Sequence, residues 1–333
     1  MSTMKDVAAL AQVSIKTVSR VLNGEPHVTD ELAGKVRAAV DQLHYLPNQS
    51  ARRLRGKRSY LIAFIYNNPT PSYVAGIQTG AAVRCRELGY HLVVEPLELE
   101  ASKRFDALER LVATLRPDGA FLVPPLSDDG DLLEKLKSMG VSTIRIAGTV
   151  DTHGAILRTP EHDGGGQIAR HLIELGHRKI AIIGPPPDHS AALERVTGYC
   201  DALREAGIAV REEWVASGNF EFTSGLLATE RFLQGDDRPT AILAANDEMA
   251  LGAMMAARMA GLSIPDDISI AGFDDTPASA SAWPPLTTIR QPLEDMGRAV
   301  VEQLTQADAD IPASFRFTLV ERASTAPPRT QIG

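Results

Sequence analysis

Residues 3–23 read Thr3-Met4-Lys5-Asp6-Val7-Ala8-Ala9-Leu10-Ala11-Gln12-Val13-Ser14-Ile15-Lys16-Thr17-Val18-Ser19-Arg20-Val21-Leu22-Asn23. Thr3, with Asp6 three positions on, predicts a helix N-cap close to a capping box. Val7, Leu10 and Ala11 then share one helical face. Gln12-Val13-Ser14 breaks that pattern, and Ser14 is placed to cap a second helix running from Ile15 to about Asn23. Val18, Val21 and Leu22 would face the first helix, leaving Ile15, Lys16, Ser19 and Arg20 outside. Two short helices joined by a tight turn, the second with a polar outer face, suit insertion into a DNA major groove. Helix lengths alone leave a generic helical hairpin with a solvated face open.

Outward from that stretch, a third helix is expected from Thr29, with Leu32, Val36, Ala39, Val40 and Leu43 as its apolar stripe. Tyr45-Leu46-Pro47 ends it, because proline cannot continue a helix and forces the preceding residue to extended geometry. Asn48 can cap the short run Gln49–Arg55, which Gly56 stops. That run falls below the ~12–15 residues an isolated helix needs in water. No acidic residue lies between Asp41 and Glu87. The run should therefore order when phosphates neutralise it; a plain basic linker is the alternative. Net charge is −8, but residues 1–58 hold ten basic and five acidic side chains, leaving 24 basic and 37 acidic for the remainder. A small basic head on an acidic body is the asymmetry of a DNA reader fused to something that does not touch DNA.

At 333 residues the chain exceeds one compact core, and 44% hydrophobic with 23% charged residues fits an ordinary globular protein. The N-terminus carries no export signal and no apolar run reaches membrane-spanning length, so a cytoplasmic protein with no membrane contact is expected. Cys85 and Cys200 have no partner spacing and read as two reduced, buried thiols.

From Tyr60 onward, apolar runs alternate with amphipathic stretches. The runs include Leu61–Tyr66, His91–Glu95, Ala120–Val123, Ser142–Ala147, Lys179–Gly184, Ala241–Ala244 and Ile268–Phe273. Helical periods such as Tyr73–Glu87, Phe105–Leu115, Gln167–Leu175, Glu194–Glu205 and Asp247–Met259 lie between them. This is the signature of parallel sheets with crossover helices, here enough for two doubly wound lobes joined near residue 160. The expected division is a helical head at 1–46, a hinge at 47–58 and a body at 59–330. Within the body, lobe 1 takes about 59–159 and 290–318, and lobe 2 about 160–289 and 319–328.

Ligands of such sheets sit beyond the strand C-termini. Asn67 and Tyr73 follow the first run, Pro124-Pro125 another, and Gly184-Pro185-Pro186 leads into Arg195. Asn246 and Asp274 follow two more. A guanidinium, an amide and a carboxylate converging on a cleft suit a polyhydroxylated ligand. Singly, each has a plainer reading: Asn246 as a helix cap, Arg195 as a surface charge, Asp274 as a turn former, Phe220 as core packing.

Val7-Ala8, Ala11, Val13-Ser14 and Thr17-Val18-Ser19-Arg20-Val21-Leu22-Asn23, followed by Tyr45-x-Pro47-Asn48, closely resemble the LacI family of bacterial repressors, and the resemblance continues along the whole chain. It implies a helix-turn-helix head, a hinge helix and a periplasmic-binding-protein-like body. Ile15, Lys16 and Arg20 match positions that read base edges, Lys16 and Arg20 suiting guanine and Ile15 a thymine methyl. Ser14, Thr17, Ser19, Asn23 and His27 match positions that hold phosphates. Ala51 and Leu54 match hinge residues that enter the minor groove. In the body, the resemblance places Arg195, Asn246 and Asp274 at effector contacts and stacks Phe220 on the ligand, with Asn67 and Tyr73 on the opposite lobe.

The resemblance implies a repressor that binds a palindromic operator as a homodimer, with a small sugar in the cleft releasing it. A purine-like effector is the alternative. Two departures bear on the ligand: Glu161-His162 stands where many relatives carry Asp-Asn, and Pro124-Pro125 replaces a more usual polar residue after proline. The C-terminal stretch from Ser324 has no leucine heptads, so no tetramer is expected.

A sugar-binding protein without a regulatory role would share the body but lack the head. An enzyme is not expected: Gly164-Gly165-Gly166 lacks dinucleotide-binding spacing, no Walker-type lysine follows, and none of the eight histidines has metal-ligand spacing. No cofactor and no metal are anticipated.

Overall fold

Thr3 opens the first helix by the chemistry its spacing predicts. In this computed structural model, which describes residues 2–22, 28–45, 58–98, 100–149, 153–235, 237–306 and 315–329, the Thr3 hydroxyl accepts from Asp6 N. Asp6 in turn accepts from Thr3 N at 2.7 Å, closing the capping box of α1 (Met4–Leu10). The Ser14 hydroxyl accepts from Thr17 N at 3.0 Å at the start of α2 (Ile15–Leu22). With α3 (Asp30–Gln42) these helices bury Val7, Ala8, Ala11, Val18, Val36, Ala39 and Tyr45 in one small core. The chain divides into two units between Ser59 and Tyr60. Asn23, His27, Ala51 and Leu54, and hinge residues 47–57, lie outside the described residues.

The second unit begins with β1 (Leu61–Tyr66), whose first five residues are all buried. Burial at successive positions requires cover on both faces, which crossover helices supply. α4 (Pro71–Glu87), β2 (His91–Pro96), α5 (Ala101–Leu115), β3 (Gly119–Leu122), α6 (Gly130–Ser138), β4 (Thr143–Ile146) and β5 (Ala155–Leu157) follow in turn. The strands form a parallel sheet in the order β2-β1-β3-β4-β5.

The chain then leaves for a second lobe through α7 (Glu161–Glu174), β6 (Ile180–Gly184), α8 (Ser190–Glu205), β7 (Val215–Ser217) and α9 (Phe222–Phe232). β8 (Ala241–Ala244), α10 (Asp247–Met259), β9 (Ser269–Ala271) and α11 (Pro277–Ser281) complete it. Its four strands are parallel in the order β7-β6-β8-β9. β10 (Thr288–Arg290) carries the chain back to α12 (Leu293–Thr305), whose Met296, Val300 and Val301 join the core of the first lobe. The final pass, β11 (Thr318–Val320), pairs antiparallel with β10. Beyond it, Ser324 donates to Ile270 O at 2.6 Å and buried His177 bonds Ala326 O at 2.9 Å, fastening the end of the chain to the second lobe.

Each sheet thus has helices on both faces, which is the doubly wound architecture expected. Cys85 is buried, and burial pushes its thiol up to about 12, whereas Cys200 is only half-buried. No described helix is long and apolar enough to cross a membrane.

Candidate functional site

The outer face of α2 is the first candidate surface. Val18 is fully buried, which fixes the helix rotation and turns Lys16 and Arg20, two residues either side of it, to the exposed face, with Ile15 also exposed. Ser14 is exposed and bonded to Thr17, and Thr17 and Ser19 are half-buried at the edge of the same face.

The second candidate lies where the two lobes of the body meet. Asn68, Thr70 and Tyr73 from the end of β1 and the start of α4, and Pro124 after β3, form one wall. Glu161, His189, Ala191, Arg195, Phe220 and Asp274 form the other. Glu161 and Arg195 are brought together because α7 and α8 cross at almost backbone contact. A Cβ on Gly165 would lie 2.1 Å from Arg195 O, and one on Gly198 would lie 2.0 Å from His162 O. The glycine run in α7 is therefore a helix-crossing surface.

Arg195 is buried and fully engaged. Its Nη2 donates to Glu161 Oε2 at 2.8 Å and its Nε at 3.2 Å, while Nη1 donates to Ala245 O. Nη1 is 3.9 Å from Asp274 Oδ1, and the guanidinium lies 3.5 Å above the Phe273 ring. Burial opposes its charge, but Glu161 and Asp274 outweigh that and raise its pKa. Asp274 accepts from Gln291 Nε2 at 2.7 Å. Burial pushes its carboxyl up to about 8; Arg195 counters that, and the charges of Asp247 and Glu161 reinforce it. Burial thus favours the neutral form of Asp274.

His189 packs on Phe220, with ring centroids 4.7 Å apart and planes tilted by 59°. Burial and the nearby Arg195 lower its pKa to about 4, so it is neutral, and its buried Nδ1 has no hydrogen-bond partner among the described residues. Phe220 and Asp274 hold positive φ of 68° and 112°, backbone strain gathered at the cleft. The lobes also touch directly through the Ser190 hydroxyl, which donates to Asp128 on the 3-10 turn after β3.

Of the residues anticipated from sequence, Tyr73, Arg195, Phe220 and Asp274 line one cavity. Asn67 does not; its neighbour Asn68 does, held by a bond from Nδ2 to Pro124 O at 2.8 Å. Asn246 does not line the cavity either. It is the N-cap of α10, accepting from Met249 N at 3.0 Å, and its Nδ2 donates to Phe220 O at 3.0 Å. It therefore fixes the strained backbone that aims the Phe220 ring. Sequence reasoning misses Glu161, His189, Asn68 and Thr70 as site residues. The departure Glu161-His162 is the one signal pointing at any of them.

A helix-turn-helix head and a two-lobed parallel body with a polar cleft define a class: a DNA-reading protein with a ligand-binding body. A family profile described as "Bacterial regulatory proteins, lacI family" matches residues 3–48, and one described as "Periplasmic binding protein-like domain" matches 169–325. The chain is 35% identical to the HTH-type transcriptional repressor PurR of Photobacterium profundum, over 93% of each chain. It is 34% identical to the ribose operon repressor of Haemophilus influenzae, over 96% of each. Among solved structures, the lac repressor dimer bound to operator and the anti-inducer ONPF superposes with a TM-score of 0.79 at 32% identity, covering 98% of this chain and 99% of that one. The chain belongs to the LacI family and is a DNA-binding transcriptional repressor, not an enzyme.

Proposed function

We propose that the chain represses transcription as a homodimer on a palindromic operator, and that a neutral sugar bound between the lobes of its body releases it. The observation that carries the sugar reading is the charge state of the cleft. Arg195 is already paired with Glu161, and burial drives the Asp274 carboxyl toward its neutral form, so the described cavity wall carries little net charge. What remains is a carboxyl, the unpartnered His189 Nδ1, the Asn68 and Thr70 side chains, and an aromatic face on Phe220. Such a set hydrogen-bonds hydroxyls and covers the apolar face of a ring.

The inner cavity measures about 20 Å³, room for one water, against the ~300 Å³ or more of ordinary ligand pockets. Ligand entry therefore requires the lobes to separate, breaking the Ser190–Asp128 bond. A ligand can shift that lobe equilibrium only by its differential affinity for the two arrangements.

On the head, Lys16 and Arg20 are assigned to guanine edges and Ile15 to a thymine methyl, with Ser14, Thr17 and Ser19 on phosphates. The homodimer is supported by the exposed Met255, Met259 and Trp283, 45%, 67% and 80% accessible. Arg258 of α10, on the helix that carries both methionines, donates to Trp283 O. Large apolar side chains gathered at one edge mark an association surface. A protein acting on DNA in this way works in the cytoplasm.

A purine is the second reading, favoured by the His189–Phe220 ring pair, which could stack a base, and by the similarity to purine repressors. Fluorescence anisotropy on labelled operator, titrated with sugars and purines in turn, separates the two. A sugar that weakens operator binding, with the response lost in Arg195→Lys, is the expected result; a response to purines alone overturns the sugar. In the same assay Arg20→Ala should weaken operator binding by about 1–3 kcal/mol with melting temperature unchanged.

A further inference from the structure

A second, larger cavity lies beside the first. It measures about 360 Å³ and is lined by residues 147–149, 158–163, 191 and 194. Glu161 and Ala191 line both cavities, so the two chambers adjoin. The inner chamber is narrow, whereas the outer one already exceeds the ~300 Å³ lower bound of ordinary ligand sites.

The outer chamber's chemistry is distinct. Glu161 is committed to Arg195, and His162 is bonded to Asp201 at 3.0 Å. Among the described lining residues that leaves Arg158, Glu194 and Asp163, the last 3.7 Å from His162 Nδ1, as charged side chains, two acids against one base. Arg158 is exposed and makes no hydrogen bond or ion pair among the described residues. The acidic surplus disfavours a phosphate. The chamber has no aromatic ring apart from His162, so it offers a nucleobase little to stack on. Carboxylates, a guanidinium and the Thr159 hydroxyl around a roomy hollow fit sugar hydroxyls, which donate and accept alternately.

From this arrangement we infer that the effector is a neutral saccharide of at least two units. One ring occupies the inner chamber against Phe220, and the next occupies the outer chamber, bonded by Arg158, Asp163 and Glu194. The inference rests on the sugar reading of the cleft and deepens it: length, as well as ring identity, becomes a determinant of specificity. Glu161 then stands at the junction of the chambers as well as being the partner of Arg195, which gives the departure at 161 a role in ligand selection.

The test is isothermal titration of the full chain with glucose, galactose and ribose, with cellobiose, maltose and lactose, and with hypoxanthine and guanine. A disaccharide should bind at least about tenfold more tightly than its component monosaccharide. Arg158→Ala and Glu194→Gln should each weaken the disaccharide by about tenfold and leave the monosaccharide within about twofold, a split that general unfolding cannot produce. Equal affinity for the disaccharide and its monosaccharide, or equal loss of both in the variants, removes the outer subsite and leaves the sugar reading standing. Purine binding, or silence across all six saccharides, overturns the sugar reading and the outer subsite with it.

Discussion

Asp274 shows how burial sets the chemistry of a single residue. Its carboxyl titrates near 8 in the folded chain against 3.8 when unperturbed, so the folded state holds its proton more tightly than the unfolded state. The stability it contributes is complete below about pH 4 and is lost as pH rises through 8, on the order of 1 kcal/mol per pH unit across that window. His189 acts oppositely and in a lower window, since a pKa near 4 makes its contribution disappear as pH falls below 6.5. Above pH 6.5 the Asp274 effect is free of His189, and His162, raised by its bond to Asp201, adds a loss of the same sign that both proteins of the comparison share. Thermal melts should show the wild type losing stability more steeply over that range than Asp274→Asn; parallel slopes would mean the carboxyl is already ionised. Asn246 illustrates the converse. Its single side chain caps α10 and anchors Phe220, so Asn246→Ala should cost about 0.5–2 kcal/mol in stability and also weaken ligand binding.

At the scale of elements, the decisive feature is the crossing of α7 and α8. Helix axes pack only as closely as their side chains permit, and Gly165 and Gly198 remove the side chains at the contact. The result sets Glu161, the first residue of α7, against Arg195 on α8. Gly198→Ala should cost about 1–3 kcal/mol or more through overpacking and displace Arg195, reducing effector binding as well as melting temperature. Gly130→Ala, where a Cβ meets nothing within 4 Å, is the control and should melt as the wild type. A Gly198→Ala protein with unchanged melting and ligand affinity would show that the helices can part without consequence. Gly165 reads in sequence only as part of the cluster Gly164-Gly165-Gly166 with the wrong spacing for nucleotide binding, because close helix approach leaves no one-dimensional signature.

For the whole molecule, the lobes exchange the chain three times, at β5–α7, β10–α12 and the approach to β11, and two of those passes are tied together. Asp275 bonds both Arg290 on β10 and Arg322 just past β11. A junction of paired strands bends more readily than a packed core, which suits lobes that must open to admit a ligand. Assembly belongs to this scale too. Sedimentation velocity should show a dimer for the wild type and a shift toward monomer for the Met259→Glu, Trp283→Glu double variant, with operator affinity falling in step. A variant that remains fully dimeric would place the interface elsewhere.

The sequence by itself determined what is local. Capping at Thr3 and Ser14, the rotation of α2, the alternation of buried strands with amphipathic helices, and the basic head are all legible in it, because each depends on residues within a few positions of one another. Asp247–Met259 reads correctly to its end residues, and the rule for open α/β sheets places Tyr73, Arg195 and Asp274 after strand ends, with Phe220 supplied by the family resemblance. Only the tertiary structure decided which side chains share the cleft. It put Asn68 in place of Asn67, turned Asn246 from cavity wall to cap, and introduced Glu161 and His189. It also pushed the Asp274 carboxyl toward its neutral form and set a second chamber beside Glu161. These depend on burial, and on contacts between residues far apart in the chain, which a chain acquires only when its lobes close on each other.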